Sequence, residues 1–516
     1  MHTHRPAALL ALVATTISVT LRQHPAATEA VTTAAPTATL TIAEPGDVVK
    51  LDPQSVSDIP SANVFLNIYD TLVTQNAQGD LVPDLATSWR QVNGTTWIFT
   101  LRHGVRFSNG DPFNATVVKG SFARLLSPAT ASPRASLFKA VSRITALGSD
   151  RVEFTLTRPF APLLANLSNY AGAITDPAVA TAEGTAFSRQ PVGTGPFKLL
   201  SWQPDNKLTL VRNTRYWGPA PQVARVVYQV VPDPSTRLSL LESNQVQVVQ
   251  GVPPAQMSSL GHIPGIALAT IPGFGLEYIG FNDQTGPFRN VAVRQALTYA
   301  TDRASIIHNI YRDTAALARG PMPPTVFGAA THLPQYSYNP ALARQLLKKA
   351  GYPNGFSTTM YVPTINATWL QVAQTLQSEW AAVGVKLSIQ NLEWATFLQY
   401  IDQGKTPVFI VGWSNMTGDG DYNQYYLFDS HTIKKGSNDD FYSDPQVDRL
   451  VEAARVATDP ATRRADYLQA QQIEVAQAAA IFLAFNQNTI AERHNVHGIL
   501  QARNSVLYLR SASMTS

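Results

Sequence analysis

Four residues in one short segment have side chains suited to holding a small molecule. The segment is GWSNMTGDGDYNQYY, residues 412–426, and the four residues are Trp413, Asn415, Asp419 and Asp421. A tryptophan ring can stack on a sugar, a heterocycle or a planar side chain, and an asparagine amide both donates and accepts hydrogen bonds. The two aspartates can accept from hydroxyl groups or from a cation, or they can form turns between the glycines. The segment predicts a ligand-binding loop.

Other kinds of chemistry find little support in the residues. The sequence contains no cysteine, which excludes disulfides, thiolate metal sites and cysteine nucleophiles. The DGD pattern lacks the further oxygen ligands of a calcium loop. His494 and His497 lie one helical turn apart without the acidic partner of a metalloprotease helix, and no phosphate-binding loop or serine-nucleophile motif occurs. We therefore predict a protein that is not an enzyme and that has no metal site and no cofactor.

The elements before the loop should place it at the edge of a sheet. A helix from about 367 to 383 ends at Gly384, a strand follows at 385–389, and a short helix begins near Glu393. An apolar strand at 408–411 then leads into the loop. This alternation of strand and helix predicts a parallel, doubly wound sheet, and such sheets bind ligands beyond the carboxyl ends of their strands.

The rest of the chain has a mixed α/β pattern. Alternation predicts strands at 96–101 and 152–156, and an apolar run predicts a more buried strand at 226–231. Helix starts are predicted where a capping residue precedes proline, at Asn339, Asp444 and Asp459. Residues 191–217 predict a glycine-proline turn, a strand through Leu208 and Leu210, and a polar hairpin end at 212–217.

Composition limits the class of protein. A chain of 516 residues needs two or three compact units, and 45% hydrophobic with 14% charged residues is typical of a globular protein. The net charge of +4, with no basic block, argues against nucleic-acid binding. Residues 7–21 form an apolar stretch too short for a membrane span, after a weakly positive start. We predict a signal peptide, or alternatively a disordered tail, at 1–38 and a periplasmic or secreted protein without a lipid-anchor cysteine.

Several motifs resemble one known family. The chain resembles the extracytoplasmic solute-binding proteins of peptide and nickel ABC importers, known as solute-binding protein family 5. The matching motifs follow the family's order along almost the whole chain: IYDTL at 68–72, PDLATSW at 83–89, WIFTLRHGVRFSNGDPF at 97–113, PVGTGPFKLLSW at 191–202, RNTRYW at 212–217, YIGFN at 278–282, PFRNVAVRQALTYATDR at 287–303 and SDPQVDRL at 443–450.

The resemblance implies an α/β clamp of two lobes, similar to type II periplasmic binding proteins, with an extra subdomain in the N-terminal lobe and a two-strand hinge. The implied ranges are 39–281 with 487–516 for the N-terminal lobe, about 70–190 for its inserted subdomain, and 282–486 for the C-terminal lobe. The crossing strands are expected near 276–282 and 482–489. A monomer would trap its ligand between the lobes and then dock on ABC permease subunits.

The same resemblance bears on the ligand. Dipeptide and oligopeptide binders of the family carry an aspartate three residues after the loop tryptophan, where this chain has Met416. Dipeptide binders also present an arginine to the peptide carboxylate, but residues 360–366 contain no basic residue. A zwitterionic dipeptide is therefore disfavoured. Tyr69, Tyr278 and Asn282 are further candidates near the predicted cleft and hinge, where structural roles are the alternative.

Three interpretations remain open from the sequence. The first is a transport protein for a neutral or weakly charged solute, such as an oligosaccharide, a modified amino-acid conjugate or a longer peptide. The second is a sensory or scaffold protein that keeps the fold and feeds no importer. The third is a nickel or metallophore binder, in which His431 is the candidate contact and a solvated loop residue is its alternative role.

Overall fold

The computed structural model describes residues 38–515. Of the predicted export segment at 1–38, all but Ala38 lies outside the described residues. None of the helices within 38–515 combines the length and the apolar character that a membrane crossing requires.

The strands belong to one large sheet and several smaller ones. They are β1 (Thr39–Glu44), β2 (Val73–Gln75), β3 (Leu81–Pro83), β4 (Ala86–Asn93), β5 (Thr96–Leu101), β6 (Val141–Ala146), β7 (Arg151–Leu156), β8 (Phe197–Gln203), β9 (Lys207–Arg212), β10 (Arg225–Val230), β11 (Val248–Gln250), β12 (Ile266–Phe281), β13 (Ala315–Leu317), β14 (Ser357–Pro363), β15 (Lys386–Leu392), β16 (Val408–Ser414), β17 (Ala480–Arg493), β18 (Val496–His497), β19 (Leu500–Gln501), β20 (Leu507–Tyr508) and β21 (Ser513–Met514).

The helices cover the sheets and connect their strands. They are α1 (Ile59–Phe65), α2 (Ala115–Leu126), α3 (Leu163–Leu167), α4 (Pro177–Glu183), α5 (Pro234–Glu242), α6 (Pro254–Leu260), α7 (Val291–Tyr299), α8 (Arg303–Asn309), α9 (Pro340–Lys349), α10 (Ala367–Ala381), α11 (Trp394–Asp402), α12 (Asp421–Phe428), α13 (Pro445–Val456) and α14 (Pro460–Ala476).

Two long antiparallel strands, β12 and β17, occupy the middle of the large sheet. The order across it is β15-β14-β16-β12-β17-β11-β1-β10-β9-β8, with β13 also paired to β17. The pairing of β12 with β17 runs from Ile266 opposite Arg493 to Gly280 opposite Ala480, and its register shifts between Pro272 and Leu276. The predicted strands at 276–282 and 482–489 are thus parts of longer strands, which connect the half of the sheet around β1 with the half around β14.

A separate four-stranded sheet forms within the N-terminal part of the chain, in the order β4-β5-β7-β6. Alternate residues of β5 and β7 face inward, which confirms the strands predicted from alternation. Phe99 and Phe154 meet edge to face with ring centroids 5.3 Å apart, and Phe122 of α2 covers Phe154 at 5.2 Å. These ring contacts pack α2 against one face of the sheet.

The predicted unit of alternating helices and strands is confirmed. β14 pairs in parallel with both β15 and β16, while α10 and α11 make the crossovers. The Glu393 carboxylate caps α11 by accepting from the backbone N–H of Ala395 and Thr396, and Gly384 ends the α10 region with a φ of 92° that favours glycine. The carboxyl ends of β14, β15 and β16 therefore lie at one edge. The large sheet as a whole is mixed, because β16 pairs antiparallel with β12.

Helix starts are placed as the capping residues predict. Asn339, Asp444 and Asp459 each accept hydrogen bonds from backbone N–H groups in the first turn of α9, α13 and α14. The polar hairpin end predicted at 212–217 falls where β9 ends, at the start of the connection that joins β9 to the antiparallel β10. A further turn at 204–206 joins β8 to β9. After β9, Trp217 donates its indole N–H to the buried Asp70 carboxylate at 2.9 Å.

Candidate functional site

The loop after β16 is held together by one buried amide. The Asn415 Oδ1 atom accepts from the backbone N–H of Thr417 at 2.9 Å and of Gly418 at 2.8 Å. Its Nδ2 atom donates to the carbonyl of Asp419 at 2.8 Å and to Asn423 Oδ1 at 2.7 Å. Because all four bonds lie within the loop and the start of α12, Asn415 positions the loop backbone at the sheet edge.

Both aspartates of the loop are paired with arginines of the helices behind it. The Asp419 carboxylate receives two bonds from the Arg463 guanidinium of α14, at 2.7 and 3.0 Å. The Asp421 carboxylate lies 2.7 Å from Arg455 of α13. Burial raises the pKa of Asp421 to about 6, against the opposing effect of Arg455. Each charge is thus balanced within the protein, and residues 412–426 contain no further carboxylate.

Trp413 and Met416 lie at the same edge in different environments. Trp413 is half-buried, and its indole N–H donates to the carbonyl of Tyr422 at 3.1 Å. Its ring centroid lies 5.5 Å from that of Tyr422 and 6.5 Å from that of Tyr426. Met416 is only 3% exposed and packs in the apolar core of the N-terminal part of the chain. At the position where the resemblance implies an ammonium-binding aspartate, the chain has a buried thioether.

The other three predicted residues are buried elsewhere in the protein. The Tyr69 hydroxyl donates to the carbonyl of Leu51 at 3.3 Å. Asn282 donates to the carbonyl of Gly404 at 2.9 Å, beside the start of β16 and so at the end away from the loop. Tyr278 lies on β12, and its buried hydroxyl has no hydrogen-bond partner among residues 38–515. The structure brings Trp413, Asn415, Met416 and the two aspartates together, and leaves these three apart from the loop.

An arginine from a distant part of the chain reaches the far end of the loop. Arg134 directly precedes the short 3-10 helix Ala135–Phe138. It donates from Nη1 to the Tyr422 hydroxyl at 2.6 Å, from Nε to the Tyr170 hydroxyl at 3.4 Å and from Nη2 to the carbonyl of Ser57 at 3.3 Å. The side chains that meet here form what we call the Arg134 cluster: Arg134, Tyr170, Trp413, Tyr422 and Tyr426.

The cluster carries one uncompensated positive charge. Arg134 takes part in none of the ion pairs found among residues 38–515. Burial raises the pKa of Tyr426 to about 12 and also raises that of Tyr422, so these phenols stay neutral near pH 7. A guanidinium has five N–H donors, and three acceptors engage them here. One donor on each Nη therefore remains without a partner among the described residues, and guanidinium N–H groups are well suited to binding a carboxylate.

The sequence contained a weak signal for the two tyrosines of this cluster that lie on α12. Tyr422 and Tyr426 are four residues apart in the segment already singled out, so a helix there places both on one face. No comparable signal marks Arg134 or Tyr170, because the fold brings Arg134 to Tyr422 across 288 residues.

A cavity of about 390 Å³ borders the opposite end of the loop. It is lined by Thr417, Gly418 and Asp419 of the loop, by Arg463, and by Trp97 of β5 among others. Three charged residues line it: Asp419 and Arg463, which pair with each other, and Asp80, whose Oδ2 atom accepts from the Asn76 amide at 3.1 Å. Since the net charge of this lining is negative, an anionic ligand group is favoured at the Arg134 cluster instead.

A buried glutamate of α14 contacts α12, the helix that carries Tyr422 and Tyr426. Glu474 of α14 is fully buried and accepts from the Gln424 amide of α12 at 3.1 Å, while its second oxygen has no partner among residues 38–515. Burial raises the pKa of Glu474 to about 8 from an ordinary value of 4.5. The folded protein therefore binds this proton more tightly than the unfolded chain does.

This shift predicts a pH-dependent effect of Glu474→Gln. Below pH 4.5 the Glu474 carboxyl is protonated in both the folded and the unfolded state, and its contribution to stability is fully present. Between pH 4.5 and 8 it ionises freely only in the unfolded chain, so this contribution is lost as the pH rises. We expect the variant to match the parent at pH 5 and to be more stable at pH 8 by more than about 1.4 kcal/mol, the equivalent of one pKa unit. Urea denaturation at both pH values measures this, with the exposed Glu242→Gln as control. Parallel pH profiles of the variant and the parent would contradict it.

Known proteins share both the sequence pattern and the fold. The model of the bacterial extracellular solute-binding proteins, family 5 (middle region), matches residues 80–435. The chain is 31% identical over 474 residues to the glutathione-binding protein GsiB of Pectobacterium atrosepticum, covering 90% of this chain and 92% of that protein. It is 31% identical over 447 residues to the dipeptide-binding protein of Escherichia coli (strain K12), covering 81% and 83%.

A solved structure extends the likeness to three dimensions. The periplasmic binding protein DppA of Helicobacter pylori, in complex with the peptide STSA, superposes with a TM-score of 0.82 at 29% identity, covering 93% of this chain and 99% of that chain. The predicted two-lobed α/β clamp is thereby confirmed as the fold class. The ordered motifs, the match over 80–435 and the shared architecture show that the chain belongs to the bacterial extracellular solute-binding proteins of family 5.

Proposed function

We propose that this protein is the extracytoplasmic solute-binding component of an ABC importer, and that it captures a small peptide-like solute through a carboxylate. The observation that carries the ligand assignment is the Arg134 guanidinium, which lies at the end of the loop with two N–H donors to spare. In this proposal the carboxylate binds Arg134, while Trp413, Tyr422 and Tyr426 contact the remainder of the solute.

The relatives support a peptide-like solute. One is named for glutathione and another for dipeptides, and both ligands carry free carboxylates. Residues 360–366 contain no basic residue, and in this proposal Arg134 supplies the positive charge for the carboxylate. The loop offers no free carboxylate to an ammonium group, because arginines hold Asp419 and Asp421 and Met416 is buried. The solute is therefore recognised mainly at its anionic end.

The proposal includes how the protein works. It acts without catalysis, as a monomer outside the cytoplasm, and passes the loaded form to permease subunits in the membrane. Its lobes correspond to residues 39–281 with 487–516 and to residues 282–486, with an inserted subdomain at about 70–190. Closure of such lobes removes water from the ligand, which strengthens a charged contact such as the one proposed for Arg134.

Thermal stabilisation tests the ligand class. A solute that binds only the folded protein, at 100 times its Kd, stabilises it by about 2.7 kcal/mol. We expect glutathione and dipeptides with a free carboxylate to raise the Tm, and dipeptide amides and a neutral trisaccharide to leave it unchanged. Native mass spectrometry of the purified protein then shows whether an anionic solute copurifies. Equal stabilisation by a dipeptide and its amide would rule out recognition through the carboxylate.

Trp413→Ala tests the aromatic part of the site. We expect the affinity for glutathione to fall about tenfold, because a half-buried ring that contacts the solute is lost. Folding should persist, since the exposed part of the ring contributes little to the core. Calorimetric titration measures the affinity, and circular dichroism confirms the fold. The matched control is Trp89→Ala, a half-buried tryptophan of β4, which should bind as the parent does. Unchanged affinity in Trp413→Ala would remove this ring from the site.

A further inference from the structure

Three potential metal ligands meet at the end of α12, outside the Arg134 cluster. They are Asp429, which directly follows α12, His431 in the next turn, and Glu452 on α13. One ligand atom from each residue lies within 4.8 Å of the other two. The set joins two helices through an imidazole nitrogen and two carboxylate oxygens.

A buried and incompletely bonded carboxylate lies at the centre of this group. The Asp429 side chain is fully buried, and its Oδ1 atom lies 2.8 Å from His431 Nδ1. Its Oδ2 atom has no hydrogen-bond partner among residues 38–515. Burying a carboxylate oxygen without a partner is costly, and a bound cation removes that cost.

The other two ligands have the freedom that ion binding needs. The His431 side chain is 68% exposed and that of Glu452 is 30% exposed. Among the described residues, Glu452 pairs only with Arg455 at 3.4 Å and with Arg158 at 3.3 Å, which are long contacts for ion pairs. Asp448, whose carboxylate accepts from the Ser430 N–H and hydroxyl, adds negative charge beside the group. Small movements of His431 and Glu452 therefore bring the three donors to coordination distance of one ion.

We propose that Asp429, His431 and Glu452 form a binding site for a divalent transition-metal ion, with zinc as the best match. One imidazole and two carboxylates are the donors that Zn²⁺ accepts at about 2.0–2.2 Å, and water completes a tetrahedral site. Mg²⁺ and Ca²⁺ prefer all-oxygen sites with more ligands than this group supplies. The ion is a resident of the protein and is distinct from the solute proposed for the Arg134 cluster.

The site has a structural consequence for α12. At the start of this helix, Asp421 already pairs with Arg455 of α13. A metal bridge from Asp429 to Glu452 ties the other end of α12 to the same helix. Tyr422 and Tyr426 of the Arg134 cluster lie on α12, between these two connections.

Titration with ZnCl₂ after chelator treatment tests the proposal. We expect one Zn²⁺ per chain, with no binding of Mg²⁺ at the same concentrations, and at least about tenfold weaker Zn²⁺ binding in His431→Ala and in Glu452→Gln. Substitution by Co²⁺ provides a second readout, because its visible absorption reports a site with low coordination number and does not depend on stability.

The chain contains a matched control. His308 also forms a 2.9 Å contact with an aspartate, Asp313, but this exposed pair belongs to no three-ligand group among the described residues. His308→Ala should bind Zn²⁺ as the parent does. Unchanged Zn²⁺ affinity in His431→Ala, or an equal loss in His308→Ala, would overturn the proposal. Because these measurements involve no solute, they are independent of the proposed transport function.

Discussion

We expect Arg134→Met to lower the affinity for glutathione by about 100-fold. Each hydrogen bond to a charged group contributes about 1.5–3 kcal/mol, and a carboxylate can form two with the free Nη donors. The loss of about 3 kcal/mol corresponds to this change in Kd, at about 1.4 kcal/mol per tenfold. Since Arg134 has no carboxylate partner among the described residues, its removal leaves no buried anion behind. The Tm of the free protein should fall modestly, because the buried Tyr170 and Tyr422 hydroxyls lose a hydrogen-bond partner.

Two further variants separate charge from geometry at this site. Arg134→Lys keeps the positive charge and loses the planar fork, so we expect an affinity between those of the parent and Arg134→Met. Arg143→Met removes an exposed arginine of β6 and should bind as the parent does. Calorimetric titration at two salt concentrations measures all four proteins. If Arg134→Met binds glutathione as tightly as Arg143→Met, the carboxylate is held elsewhere. If the parent fails to bind glutathione, the copurified solute replaces it as the probe.

Asp419→Ala should destabilise the protein by about 3–5 kcal/mol. The Asp419 and Arg463 side chains are each 8% exposed, and removing the carboxylate leaves the guanidinium buried without its counter-charge. Arg463 is further fixed by its Nε bond to the carbonyl of Ala454 at 3.0 Å, so it has little freedom to reach water. Urea denaturation measures the free energy of unfolding.

Comparison variants distinguish a structural role of Asp419 from ligand contact. Arg158→Ala breaks the more exposed Arg158–Glu452 pair and should cost less than about 1 kcal/mol. The double variant Asp419→Asn with Arg463→Gln removes both charges and should recover part of the stability lost in Asp419→Ala. If Asp419→Ala instead keeps the parent's stability and loses affinity for glutathione, the carboxylate contacts the solute and the arginine pairing is secondary.

Local sequence signals were sufficient for the elements that position the site. Asparagine or aspartate before proline marks the starts of α9, α13 and α14, because a capping oxygen and a fixed φ act within one turn. The run α10, β15, α11 and β16 follows from periodicity and from one terminating glycine. The turn at 204–206 between β8 and β9 was not singled out, although Pro204, Asp205 and Asn206 are residue types that favour turns.

Side-chain partners were less accessible to sequence reasoning. From their spacing, Asp419 and Asp421 could serve in turns or as acceptors for ligand hydroxyls or a cation. The fold pairs Asp421 with Arg455 of α13 and Asp419 with Arg463 of α14. These pairings indicate a structural role for both carboxylates, and both arginines lie beyond the loop in the sequence. Likewise, the sequence offered His431 only as a single candidate contact. The fold brings ligand atoms of Asp429 and Glu452 within 4.8 Å of it.

The sequence by itself determined the family, the order of helices and strands, and the position of the loop at 412–426, because these depend on motifs and on short-range periodicity. Only the tertiary structure decided which charges in the loop are neutralised and which cation remains free. The physical reason is that a charge in a protein is compensated by groups close in space. Arg134 is surrounded by hydroxyl and carbonyl oxygens of Ser57, Tyr170 and Tyr422, which accept its hydrogen bonds without neutralising its charge and which no spacing in the chain connects.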